Sequence, residues 1–308
     1  MGKLEFYGSL AEKQLSFFGD LNIPPEFKID DAWQFKGWYD QMKSVVGQNP
    51  LGNFFRGVRE ARYKLYNSSQ RFWIQNNLTQ LESLSQPLSY LQMIQNMVNQ
   101  AKEQEIFSRV FDYYGLAPDQ TDFPILSILQ HYGAPTPLMD WTYDIDVALF
   151  FAIERVERSD ESHDIRSYVS VYRVEKQSAA AFLRSNLQYV SGNVFPMISH
   201  LPKGAMYYIS DFEVKNERQT RPLTTYYNLN IMPQQGLFVF NPDEVDPLEK
   251  VAAAGQQGSG IICYNINKDL SELIRLTINK NGVNESLIYP ELRRYAETIL
   301  DGYLKGLV

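Results

Sequence analysis

The sequence predicts an α+β fold in which a helical N-terminal part packs on a mixed, mainly antiparallel β-sheet core. Three observations carry this expectation. Apolar residues recur at three- and four-residue steps through much of the first half. From residue 166 onward they alternate as strands do. The 308 residues are 44% hydrophobic, 14% aromatic and only 21% charged, a composition that folds around a core rather than staying disordered.

Residues 32–46 place Trp33, Phe35, Trp38, Met42 and Val45 near helical spacing behind Asp31, a good N-cap, and predict the first core helix. The turn Gln48-Asn49-Pro50-Leu51-Gly52 leads into Asn53-Phe54-Phe55-Arg56-Gly57, a short aromatic strand that carries an arginine to its end. Residues 81–112, rich in Leu, Gln, Met and Glu, predict one or two packing helices. Pro124 to His131 predicts another, opened after Asp122 and stopped at Gly133, with Pro135 and Pro137 beyond as breakers.

Leu138 to Thr142 reads as a short strand, and the nearly all-apolar stretch from Ile145 to Arg155, capped by Asp144, as a helix deep in the core. Further strands are expected at 166–174, 205–209, 223–229, 236–242 and 258–266. Helices are expected at 179–189, at 268–276 behind Asn267 or Asp269, and at 289–304 with Pro290 in the first turn.

Charge and chemistry narrow the function classes. Lys plus Arg number 29 and Asp plus Glu 36, a net charge of −7, so no global basic footprint marks a coat for duplex DNA. The single cysteine, Cys263, lies in the apolar run GIICYNI; it excludes a disulfide framework or a cysteine zinc site and reads as a buried, inert thiol. His131, His163 and His200 lie far apart, so no metal site is expected. Glu5, Glu12, Lys13 and Asp20 interrupt the first twenty residues, unlike a signal peptide, and no run of about 18 apolar residues appears. The expected location is cytoplasmic, away from membranes.

Arg56, Gln130, His131, Asp140, Trp141, Thr142, Gln234 and Gln235 all sit where a strand or helix meets a turn, which lets their side chains converge. Arg56 beside Gly57 offers forked donors to a phosphate, or forms a surface ion pair. His131 suits a ligand contact or the C-terminal end of a helix dipole. Asp140 can bind backbone amides at its turn, and Trp141 can face a flat ring. Gln234 and Gln235 need partners for their amides, from backbone or from substrate.

The stretches NFFRG, LQHYGAPTPLMDWTYDIDVALFFA, PQQGLFVFNP and ESLIYPELRRYAETI together resemble the FRG domain, named for the Phe-Arg-Gly that is here Phe55-Arg56-Gly57. The similarity covers 33–57, 124–156, 233–242 and 284–299. Pro137 stands where the family commonly has arginine, and Glu291 where it has aspartate. The resemblance implies a single FRG-type domain over 1–308, with an N-terminal extension at 1–32, a core at 33–57 and 124–304, and a largely helical insertion at 58–123.

A wider resemblance, to the ADP-ribosyltransferase fold, implies a split β-sheet core of that type, with NAD as substrate. In that reading Arg56 holds the NAD phosphates, the Gly57 backbone contacts the nicotinamide amide, and Phe55 belongs to the cofactor-binding set. Asp140 to Thr142, with Trp141, shape the ribose and nicotinamide site, and Gln130, His131 and Tyr132 belong to the cofactor-binding set. Gln234 or Gln235 stabilises the developing oxocarbenium ion, and Asp140 or Glu291 supplies the carboxylate. The catalytic set implied is Arg56, Asp140, Gln235 and Glu291. The function implied is an NAD-consuming ADP-ribosyltransferase modifying RNA, DNA or protein, a bacterial toxin or phage-defence effector that an antitoxin protein restrains. The rival expectation is a non-catalytic nucleotide or nucleic-acid binding module, which the missing late glutamate and the high aromatic content favour.

Overall fold

A computed structural model describes residues 2–19, 25–79, 88–114, 122–156, 164–176, 187–189, 206–209, 231–253 and 260–290. The strands are β1 (Lys28–Ile29), β2 (Asn53–Val58), β3 (Leu138–Thr142), β4 (Tyr168–Glu175), β5 (Leu187–Tyr189), β6 (Met206–Ile209), β7 (Gly236–Phe240) and β8 (Ile261–Asn267). They form one sheet in the order β1-β8-β4-β2-β3-β7-β6-β5. Only the pairings β1 with β8 and β5 with β6 are parallel; the others are antiparallel. The expected α+β class with a mixed, mainly antiparallel sheet is therefore what the chain adopts.

The middle of this sheet is its weakest seam. Along its whole length β2 pairs with β4, and β3 with β7, yet β2 and β3 meet in a single register pair, Phe55 with Thr142. Two ladders thus join at one point, and beyond it the ends of β2 and β3 have no ladder between them.

Helices cover both faces because the strands alternate. Along β4, Val169 and Val171 point to one side, where α2 (Ala32–Gln48) and α7 (Ile145–Ile153) bury Phe35, Trp38, Val147 and Leu149 with Phe55. Tyr168, Tyr172 and Val174 point to the other, where α1 (Leu10–Phe18) adds Phe17 and Phe18 beside Phe54, Trp141 and Cys263. A third apolar group forms where α3 (Ser68–Gln75), α4 (Tyr90–Lys102), α5 (Glu105–Tyr114) and α6 (Asp122–His131) meet Leu138, Phe238 and Phe240 of β3 and β7. Asp31 and Asp144 cap α2 and α7 as expected.

Several expectations need correction. Positions 187–189, assigned to a helix, are strand β5, where parallel pairing with β6 satisfies the backbone and overrides local propensity; 179–186 lie outside the described residues. Tyr289 does not begin a helix but caps the end of the short one at Glu285–Ile288; residues from 291 on, like 223–229 and 81–87, lie outside the description. Helix α7 stops at Ile153, with Arg155 at φ 54. Helices α1 and α3 and strand β1 were not legible in the sequence. Residues 268–280 do form the expected helix, a 3-10 turn at Lys268–Leu270 running into Ser271–Lys280.

Candidate functional site

The seam between β2 and β3 opens into a cleft of about 530 Å³ whose lining includes Phe55, Arg56, Gly57, Asp140, Trp141, Thr142 and Gln234. Arg56 fills the gap that the missing ladder leaves: its guanidinium Nη1 donates to the backbone carbonyl of Asp140. A side-chain donor replaces a strand-pairing bond, so Arg56, which lines the cleft, is held by main chain. Its Nε is buried and has no hydrogen-bond partner among the described residues.

Gly57 lies under α7. A Cβ there would fall 1.8 Å from the carbonyl oxygen of Ala148 and 2.7 Å from the amide nitrogen of Ala152. Only glycine lets the helix backbone approach the strand this closely. Packing of helix on strand thus accounts for the third letter of the motif without any ligand.

Asp140 projects its carboxyl into the cleft mouth, where it is solvent-exposed and accepts a 2.7 Å hydrogen bond from Nε2 of Gln130. The Gln130 carbonyl oxygen is in turn fixed by the Thr136 hydroxyl. Crowding by protein raises the Asp140 carboxyl above its usual range, while Arg56 and Gln130 pull it back in part. Desolvation likewise lowers Arg56, with Asp140 opposing. The Thr142 hydroxyl donates to the Gln234 carbonyl oxygen at 2.6 Å and accepts from the Asp144 amide at 2.9 Å. It serves as a tie between β3 and the turn into β7.

Other sequence-designated residues lie elsewhere. Trp141 is only 2% exposed and packs edge-on against Phe54 at 5.3 Å; it is cleft wall and core, not an open stacking platform. Gln235 is exposed at φ 46, serves the turn through its backbone, and does not line the cleft. Gln234 does line it, but its amide donates to the Ile288 carbonyl at 2.8 Å. His131 and Tyr132 stand exposed, edge to face at 5.0 Å, and line a different cavity with Glu154, Arg155 and Arg275. The reason is local: α6 ends there, and the turn through Gly133 at φ 88 carries the chain back to β3. Glu291 lies outside the described residues. Among these residues no group of three or more His, Cys, Asp or Glu side chains is placed to hold a metal ion.

The sequence reading missed further residues of the lining, three of them cations. Arg59, Tyr63, Lys64, Tyr66 and Arg71 also line the cleft, so a chain of net charge −7 presents a basic pocket. The signal was present: residues 56–71 contain Arg56, Arg59, Arg62, Lys64 and Arg71 against the single acid Glu60. Lys64 is paired with Glu5 at 2.7 Å. Arg71, on α3, donates to the Tyr66 carbonyl at 2.6 Å, and its guanidinium is lowered by burial and by the neighbouring charge of Arg56.

No curated protein and no solved structure matches the chain. The family model of the FRG domain does, over residues 52–161, a span that contains Arg56, Gly57, Gln130, Asp140, Trp141 and Thr142 but neither Gln234 nor Glu291. With Phe55-Arg56-Gly57 and β3 inside that span and brought together at one cleft, the chain carries an FRG domain.

Proposed function

We propose that the cleft binds NAD and that the protein is an ADP-ribosyltransferase-like enzyme acting on a macromolecule. The observation that carries this reading is the convergence of Arg56, Asp140, Trp141, Thr142 and Gln234 on one cavity of about 530 Å³, a size suited to a nucleotide cofactor or substrate. Arg56 holds the pyrophosphate as a charge-assisted fork. The bond between nicotinamide and ribose breaks, nicotinamide leaves with the bonding pair, and the ribose becomes an oxocarbenium ion. The Asp140 carboxylate, fixed by Gln130, stabilises that charge at the mouth of the cleft. A nucleophile of the acceptor then bonds to the ribose and gives up its proton. The toxin or phage-defence role and an antitoxin partner belong to the same proposal and follow from the resemblance alone; the cytoplasmic location is proposed from the single cysteine and the lack of a long apolar run in the sequence. Arg56→Ala is expected to abolish nicotinamide release from NAD; full turnover in that variant defeats the assignment.

A second reading, a binding module without turnover, is favoured by one observation: the late polar residue Gln234, an amide and not a carboxylate, is held by main chain through its N–H donated to the Ile288 carbonyl. Labelled NAD incubated with RNA, DNA and protein separates the two. Release of nicotinamide or transfer of label supports the enzyme, and nucleotide binding without either supports the module.

A further inference from the structure

Arg56 and Arg71 share two adjoining cavities. Both line the cleft of about 530 Å³, and both line a smaller one of about 210 Å³ with Tyr66, Gln130, Met139 and Asp140. Each guanidinium is anchored through one N–H to a backbone carbonyl, Arg56 to Asp140 and Arg71 to Tyr66. Among the described residues neither meets a carboxylate at ion-pair distance, whereas Lys64 is paired with Glu5 and Arg59 lines only the larger cavity. Both guanidinium groups line the same two cavities with donors left over, and the Asp140 carboxyl near Arg56 balances that charge only in part. An anion at the junction of the two cavities satisfies both.

We infer that Arg56 and Arg71 form a two-arginine clamp for a ligand with two linked phosphates, one guanidinium to each, with Arg71 as a binding residue that the family motif does not name. A ligand with two linked phosphates gives each guanidinium its own anion, whereas a single phosphate engages one arm and leaves the other charge uncompensated. The inference rests on the cleft proposed above for NAD but not on any turnover there. The Asp140 carboxyl borders the same junction, and Gln130 holds it by hydrogen bond.

Calorimetry on the full chain tests the clamp with ADP-ribose and AMP as probes, comparing wild type with Arg71→Ala and Arg71→Lys. The expected result is that ADP-ribose binds wild type at least about tenfold more tightly than AMP does, the worth of one charge-assisted hydrogen bond. Arg71→Ala is expected to erase that preference and Arg71→Lys to restore part of it, with binding in wild type weakening as salt rises. Thermal unfolding of each variant confirms that it is folded, and Arg71→Lys carries the comparison if Arg71→Ala is not. Equal affinity for the two probes in wild type, no binding of ADP-ribose, or an unchanged preference in the Arg71 variants overturns the clamp. Nicotinamide release, measured alongside, keeps the two ideas apart. Diphosphate-selective binding without release leaves the clamp and removes the enzyme; release with an unchanged KM in Arg71→Ala leaves the enzyme and removes the clamp.

Discussion

The carboxyl of Asp140 shows how a single side chain is tuned by the seam it occupies. Crowding raises its folded pKa above the unfolded value, and Arg56 and Gln130 offset only part of the rise. The folded state therefore holds the proton more tightly than the unfolded chain, so stability falls as pH rises from about 4 through the raised folded value, and then levels. Asp140→Asn keeps a carbonyl oxygen for Gln130 and removes this titration. The melting temperature of wild type relative to Asp140→Asn is expected to decline across that window; a constant difference from pH 3 to 8, roughly the span of carboxylate titration, contradicts the account. Asp144 and Glu249 are also raised by burial, but both proteins retain them, so the difference isolates Asp140. Nicotinamide release is expected to fall in the same variant.

At the scale of elements, function rests on how closely α7 and α3 are fixed to the sheet. Gly57→Ala sets a methyl 1.8 Å from the Ala148 carbonyl oxygen, and backbone cannot yield as a side chain does. The helix has to shift away from β2, at a cost of about 3 kcal/mol or more, read as a lowered denaturant midpoint. A midpoint equal to wild type shows that the close approach is not real. Helix α3 presents Arg71, and its start is fixed by a capping box in which Asn67 accepts from the Gln70 amide and Gln70 reaches back to the Asn67 amide. The Asn67 side chain also accepts from Ser69 and Tyr90 and donates to the Asn241 carbonyl. Asn67→Ala strips a cap and leaves buried partners unmet, so it is expected to cost about 2 kcal/mol or more, against about 1 for an ordinary cap such as Asp31→Ala in α2. Equal losses in chemical denaturation sink this ranking.

Across the whole molecule, the N-terminal residues are part of the fold and not an appendage. Tyr7, Phe17 and Phe18 are core, and Lys13 is fully buried, donating to the Ala61 carbonyl at 2.7 Å and the Ser170 hydroxyl at 2.6 Å beneath the Tyr172 ring. Lys13→Ala is expected to cost about 3 kcal/mol or more, a loss that urea unfolding measures; a neutral result makes this segment peripheral. Nothing in the charged, interrupted pattern around Lys13 announces its burial, because burial there depends on acceptors more than forty residues away along the chain. The sequence by itself determined the α+β class, helices α2, α6 and α7, strands β2, β3, β4, β7 and β8, and the motif residues Arg56 and Asp140, since each follows from local periodicity, caps and turn residues. Only the tertiary structure decided that β2 and β3 meet at one pair, that Arg56 bridges the gap, that Arg71 lines the same cleft, and that His131 and Tyr132 turn to another cavity. Those outcomes come from strand order and helix placement, which short-range patterns do not encode.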